Sequence, residues 1–227
     1  MNGLTMLVVA SGAFVGTHFL MSHPLRAVMV GALGEKGFAG VYSLVSFATL
    51  GWMIGAYSAA SAEAPEPLWD AGQPGFIAAT LLMWLGSVLF MGSLRRNPAL
   101  PRPGRPIKKI DDPNGVYAIT RHPMMWGFSL WALVHAIVNP TEASLILSFS
   151  IAFLALVGAA LQDRKKERQL GAMWSDWKRK TSFVPYGQGL KSADAFALLT
   201  GTILWLAATW AHGALDYRPA GIWAFIG

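Results

Sequence analysis

Five histidines carry most of the chemistry open to this 227-residue chain: His18, His23, His122, His135 and His212. It has no cysteine, so disulfides and thiolate ligands are excluded and redox compartment cannot be read from cysteine usage. His18 and His135 lie farthest inside apolar stretches, where ionisable side chains are costly and functional by default. A plainer reading holds for each, because a neutral imidazole bonded to a neighbouring helix is structurally adequate. Two such rings, with no Asp or Glu inside any apolar span, favour a cofactor over a proton relay. Neutral imidazole is an ordinary axial ligand of haem iron. Asn139 stands one helical turn after His135 and is placed to orient its ring.

Arg121 and His122 support a different chemistry. Pro123 suits the first position of a helix, where its missing N–H costs nothing. His122 then sits at the positive, N–H-rich end of that helix, and with Arg121 it forms an anion site. An interfacial anchor for a short helix explains the same pair equally well. His23-Pro24 reads as a helix boundary. His212, near Trp205 and Trp210, reads as an interface residue at the end of the last apolar span.

The elements that must position these residues follow from composition. Hydrophobic residues make up 54% of the chain and charged ones only 13%, about half the share usual in soluble domains. Six stretches approach the roughly 20 residues that cross a bilayer: 3–21, 38–60, 76–94, 123–139, 143–161 and 194–213. The expectation is an all-α polytopic membrane bundle, a single domain over 1–227. The first stretch lacks a basic leader and reads as a retained anchor.

Counting Lys and Arg in alternate loops gives two in 22–37, seven in 95–122 and eight in 162–193, against Arg218 alone on the other side. Seventeen against one is a strong positive-inside bias. It predicts that both termini face the outer side of the membrane. The net charge of +6 is then a topology signal with some affinity for anionic lipid, and nucleic-acid binding is not needed to explain it.

The outward 61–75 loop is acidic and proline-broken and is expected to cap the outer face. The inward 97–115 loop, with five prolines, is expected to be extended. Leu170, Met173, Trp174 and Trp177 recur at helical spacing among Lys and Arg, the pattern of an amphipathic helix lying in the membrane interface. Gly12/Gly16 and Gly51/Gly55 are small-residue pairs suited to close helix packing. In this topology His18 lies towards the inner end of its helix and His135 towards the outer end of its own. Depth alone, at about 1.5 Å per residue, pairs His18 with His122 and His135 with His212.

Several of these motifs together resemble the NnrU family of bacterial membrane proteins and the plant-type 15-cis-zeta-carotene isomerases. They are Thr120-Arg121-His122-Pro123 with Trp131 and His135, Asp163-Arg164 followed by Trp174, Thr181-Ser182 and Val184-Pro185, Gly16-Thr17-His18, and Ala211-His212. The resemblance implies a haem b protein with iron between His18 and His135. It also implies either redox-dependent cis–trans isomerisation of an apolar polyene or a role near nitrite and nitric oxide reduction. The isomerase branch has a cysteine three residues before the second ligand; here that residue is Ala132, so thiolate switching at iron is impossible.

A more distant resemblance links Arg121-His122-Pro123 and Glu167-x-x-Leu170-Gly171-x-x-Trp174 to the isoprenylcysteine carboxyl methyltransferases. It implies S-adenosylmethionine held near Arg121 and Glu167. Arg168 stands where a second Glu is usual, and Trp replaces both Tyr. A cofactor-free assembly or transport partner is the third class.

Overall fold

Three polar side chains start three of the helices. Asn2 accepts the Thr5 N–H at 2.8 Å, Thr141 that of Ser144 at 3.2 Å, and Asp194 that of Ala197 at 3.0 Å. Each satisfies a donor that the helix itself leaves unpaired. The helices are α1 (Gly3–Ser22), α2 (Arg26–Ser61), α3 (Gly72–Ser93), α4 (Val116–Ile119), α5 (Pro123–Val138), α6 (Glu142–Leu170), α7 (Ala172–Lys180), α8 (Ala195–Ala214) and α9 (Trp223–Ile226). The computed structural model describes residues 2–62, 65–99, 109–215 and 218–226, and among these there is no strand. Residues 100–108 of the proline-rich 97–115 loop lie outside the described residues.

Five helices (α1, α2, α3, α6 and α8) are long and apolar enough to cross a membrane, and α5 is a shorter apolar one. They pack in a row: α8 on α3, α3 on α5, α5 on α6, α6 on α1, and α1 on α2. One core gathers Val88, Leu89, Val116, Ile119, Leu130 and Trp174 around α3, α5 and α7. A second gathers Leu7, Phe14, Met53 and Ala143 where α1 meets α2 and α6. The outward faces are apolar too, with Leu44 70%, Phe47 73% and Phe149 70% exposed. So much exposed apolar surface is unfavourable in water and natural against lipid tails, which makes this an integral membrane protein.

Three expectations are corrected. The stretch 22–37 is mostly helix, not loop. α2 begins at Arg26 and is broken at Gly34, whose φ of 67° lies in the left-handed region glycine tolerates. In a straight helix Arg26 and Glu35 would stand about 13 Å apart along the axis; the break brings them to 2.8 Å. Hydropathy reads such charges as breakers, and here they pair instead.

The apolar face of α7 does not lie in the membrane interface. Trp174 and Trp177 are buried in the first core, at 0% and 5% exposure. Nor do the small-residue pairs mediate close packing. A Cβ added at Gly12, Gly16, Gly51 or Gly55 would meet nothing within 4 Å. The close crossings are elsewhere: at Gly201 a Cβ would lie 2.5 Å from the Val88 Cα, and at Gly127 it would lie 3.0 Å from the Gly86 carbonyl oxygen.

The 61–75 loop, as far as it is described, does cap one end. The Leu68 N–H donates to the Pro140 carbonyl at 2.9 Å, and the Trp69 indole donates to the Ile137 carbonyl at 3.2 Å. Gly201→Ala is expected to cost about 1–3 kcal/mol through overpacking. Gly12→Ala and Gly16→Ala should stay within about 0.5 kcal/mol or stabilise slightly. Thermal denaturation in detergent checks both.

Candidate functional site

The short α4 and the Pro123 helix start deliver Thr120, Arg121 and His122 to the end of the bundle that carries the basic loops. His122 is the N-cap of α5 and is buried. Its Nε2 lies 3.0 Å from Asp163 Oδ1, while Arg121 Nε donates to Asp163 Oδ2 at 2.8 Å. The Trp174 indole donates to the same carboxylate at 3.2 Å. Asp163 is itself only 7% exposed. The positive pair read as an anion site therefore holds an internal anion, contributed by α6.

The segment after α7 completes this cluster. The Arg121 N–H donates to the Ser182 carbonyl at 2.8 Å, and the Tyr186 N–H to that of Ile119 at 2.9 Å. Thr120 Oγ1 and the Trp126 indole both donate to the Phe183 carbonyl, at 2.7 and 2.8 Å. The Phe183 ring meets His122 edge-on at 5.3 Å, and the Arg121 guanidinium lies over it at 5.4 Å. The two motifs around Arg121 and around Ser182 are thus halves of one lock. Glu167 is not part of it: its carboxylate pairs with Lys178 at 3.3 Å.

A second constellation forms at the other end of the row. The rings of His135 on α5 and His212 on α8 come within 6.2 Å between centroids, both helices flanking α3. Each ring's Nδ1 lies against the carbonyl one turn back, at 2.8 Å on Trp131 for His135 and 2.7 Å on Ala208 for His212. A carbonyl only accepts, so Nδ1 carries the proton and Nε2 presents its lone pair. Trp131 also packs its ring on His135 at 4.1 Å and 32°.

The ring of His135 is oriented by Trp131 rather than by Asn139. Asn139 is exposed, and its backbone N–H closes on the His135 carbonyl at 3.0 Å.

His18 uses the same device, its Nδ1 2.7 Å from the Phe14 carbonyl. Its ring neighbours are Phe14 and Tyr42. α1 packs on α2 and α6, and α5 on α3 and α6, so the structure does not bring His18 and His135 together. No group of three or more His, Cys, Asp or Glu suited to a metal ion occurs among the described residues.

A sequence model of the family described as NnrU protein matches residues 6–219, nearly the whole chain and all five histidines. The chain belongs to the NnrU family. No curated protein and no solved structure matches it.

Two residues of this NnrU-family site stand in the sequence motifs, and His212 was paired with His135 by depth, but their local surroundings in the chain suggested another role for each. Asp163 lies just past the apolar run of α6 and looked like the start of a charged loop. His212 lies near a helix end and looked like an interface residue. Asp163→Asn would leave Arg121 and His122 with no buried counter-charge and is expected to cost about 3–5 kcal/mol. Glu167→Gln, at a half-exposed pair, should cost at most about 1 kcal/mol. Melting temperatures of the two variants, side by side, test the difference.

Proposed function

We propose that this NnrU-family protein is an integral membrane haem b protein whose axial ligands are His135 and His212, serving the reduction of small nitrogen oxides. The observation that carries this reading is the 6.2 Å approach of two imidazoles with both Nδ1 atoms tied to helix carbonyls. Two imidazoles sharing one metal through Nε2 stand roughly 6 Å apart between ring centres, given a metal–nitrogen bond of about 2 Å. His135 and His212 are the residues that would hold a haem iron, and their chemistry suits one. When bound, haem supplies one-electron redox chemistry and a position for a small ligand.

The protein's own residues set what such a group can do. The Trp131 and Ala208 carbonyls fix the tautomer of each ligand and raise its basicity. The Trp131 ring restrains His135 further, whereas His212 is exposed and is the ligand more easily displaced. Ala132, 1% exposed, occupies the place of the isomerase-branch cysteine. Ligand switching through sulfur is ruled out there, which favours nitrogen-oxide chemistry over polyene isomerisation. In this reading His212 takes the part that resemblance gives to His18. The seventeen-to-one charge bias supports an inner-membrane protein with a cytoplasmic basic end and periplasmic termini.

The test is the visible spectrum of detergent-purified protein. A Soret band that shifts on reduction is expected, lost in His135→Ala and His212→Ala and retained in His18→Ala. Colourless wild-type protein that binds S-adenosylmethionine would overturn the reading in favour of a methyltransferase. A band lost in His18→Ala but kept in His212→Ala would move the second ligand to α1.

A further inference from the structure

The turn between α1 and α2 packs beside the end of α6 and leaves a cleft of about 220 Å³. Its polar lining is Ser22, His23, Arg26, Lys165, Arg168 and Gln169, with no carboxylate among them. Arg26 is paired with Glu35 at 2.8 Å. Lys165 and Arg168 make no ion pair with any carboxylate among the described residues; Glu35 is taken by Arg26 and Glu167 by Lys178. His23 holds the Ser22 hydroxyl through Nδ1 at 2.8 Å, and its Nε2 is buried with no well-formed hydrogen bond. Burial, and after it the positive field of Lys165 and Arg168, pushes the His23 imidazole below its ordinary pKa.

Depth says which anion meets it. The apolar run of α6 ends at Leu161, four residues before Lys165 and seven before Arg168. At about 1.5 Å per residue these cations lie roughly 6 and 10 Å beyond the hydrocarbon. The head-group layer occupies roughly the first 5–8 Å of that distance on each side. About seven waters' worth of space, at roughly 30 Å³ each, accommodates a phosphodiester. A second hollow, over Leu161, Arg164, Glu167 and Arg168, shares Arg168 with the first.

We propose that this cleft is a binding site for the phosphate of an anionic membrane phospholipid, held by Lys165 and Arg168 with Gln169 as a hydrogen-bond donor. The site is remote from the imidazole pair and does not depend on haem. It seats a lipid between the α1–α2 turn and α6.

Native mass spectrometry of the full-length protein, titrated separately with phosphatidylglycerol, cardiolipin and phosphatidylcholine, tests it. Both anionic lipids should bind in preference to phosphatidylcholine. Lys165→Gln with Arg168→Gln should weaken them by about 25-fold, and Arg168→Gln alone by about 5-fold. The matched charge change Arg179→Gln with Lys180→Gln, outside the cleft at the same end, should leave them unchanged. Arg168 is exposed, so its single variant reads the site even if the double variant fails to fold. Equal binding of phosphatidylcholine, or an equal loss in the Arg179/Lys180 variant, would overturn the proposal. So would displacement of the lipid by millimolar inorganic phosphate, which would assign the cleft to a soluble anion.

Discussion

One carboxylate organises the basic end of the bundle. Asp163 takes a guanidinium, an imidazole and an indole N–H at once. These donors come from the start of α5 and from α7, so one residue of α6 sets the relative position of three helices. In a low-dielectric setting such a cluster must be complete: the charges are tolerable together and very costly apart. The Thr181–Tyr186 strand of irregular chain closes over it with backbone hydrogen bonds, so few of its polar groups are left over. The cluster is buried and internally compensated, which makes it a structural lock rather than a receptor for an outside anion. It holds the α4–α5 junction from which the short fifth helix projects.

The imidazole pair sits at the far end of that helix. His135, His212 and His18 all give Nδ1 to a carbonyl one turn back, so this local bond alone does not mark a ligand. What separates the first two is mutual approach across α3. His18 meets only aromatic neighbours. A helix row in which α5 and α8 both lean on α3 brings their outer ends together, and α1, two helices away, is left out. The depth that loop charge counts gave these residues pairs His135 with His212, and the packing of both helices on α3 brings the two rings together.

Much of the fold was legible because hydropathy acts over whole helices: the six apolar stretches, the short fourth one and its tight hairpin all stand where long apolar runs and Asn139-Pro140 put them. Boundaries were misread where side chains compensate one another. Arg26 and Glu35 neutralise each other across the Gly34 break, so a stretch that looked like loop is helix. Asp163 was assigned to a loop because its cost in an apolar setting is visible in the sequence, whereas its three donors are distant in sequence. The indole pair of α7 has the same spacing whether it faces lipid or protein, and periodicity could not tell the two apart. Glycine spacing misled for a related reason. Gly12 and Gly16 share a face, but nothing in their spacing says that a neighbour arrives there, while lone Gly201 and Gly127 sit where backbones cross.

The brevity of α5 has a consequence for its surroundings. Sixteen residues rise only about 24 Å, less than the roughly 30 Å of an average hydrocarbon slab. The strap through Leu68 and Trp69 and the lock around Asp163 stand at its two ends, and tilting would only shorten its rise across the membrane. Lipids beside this helix must therefore dimple inward, a hydrophobic mismatch that draws head groups and water towards Trp131 and His135. In the haem reading proposed above, such thinning would shorten the path from the imidazole pair to a diffusing redox partner.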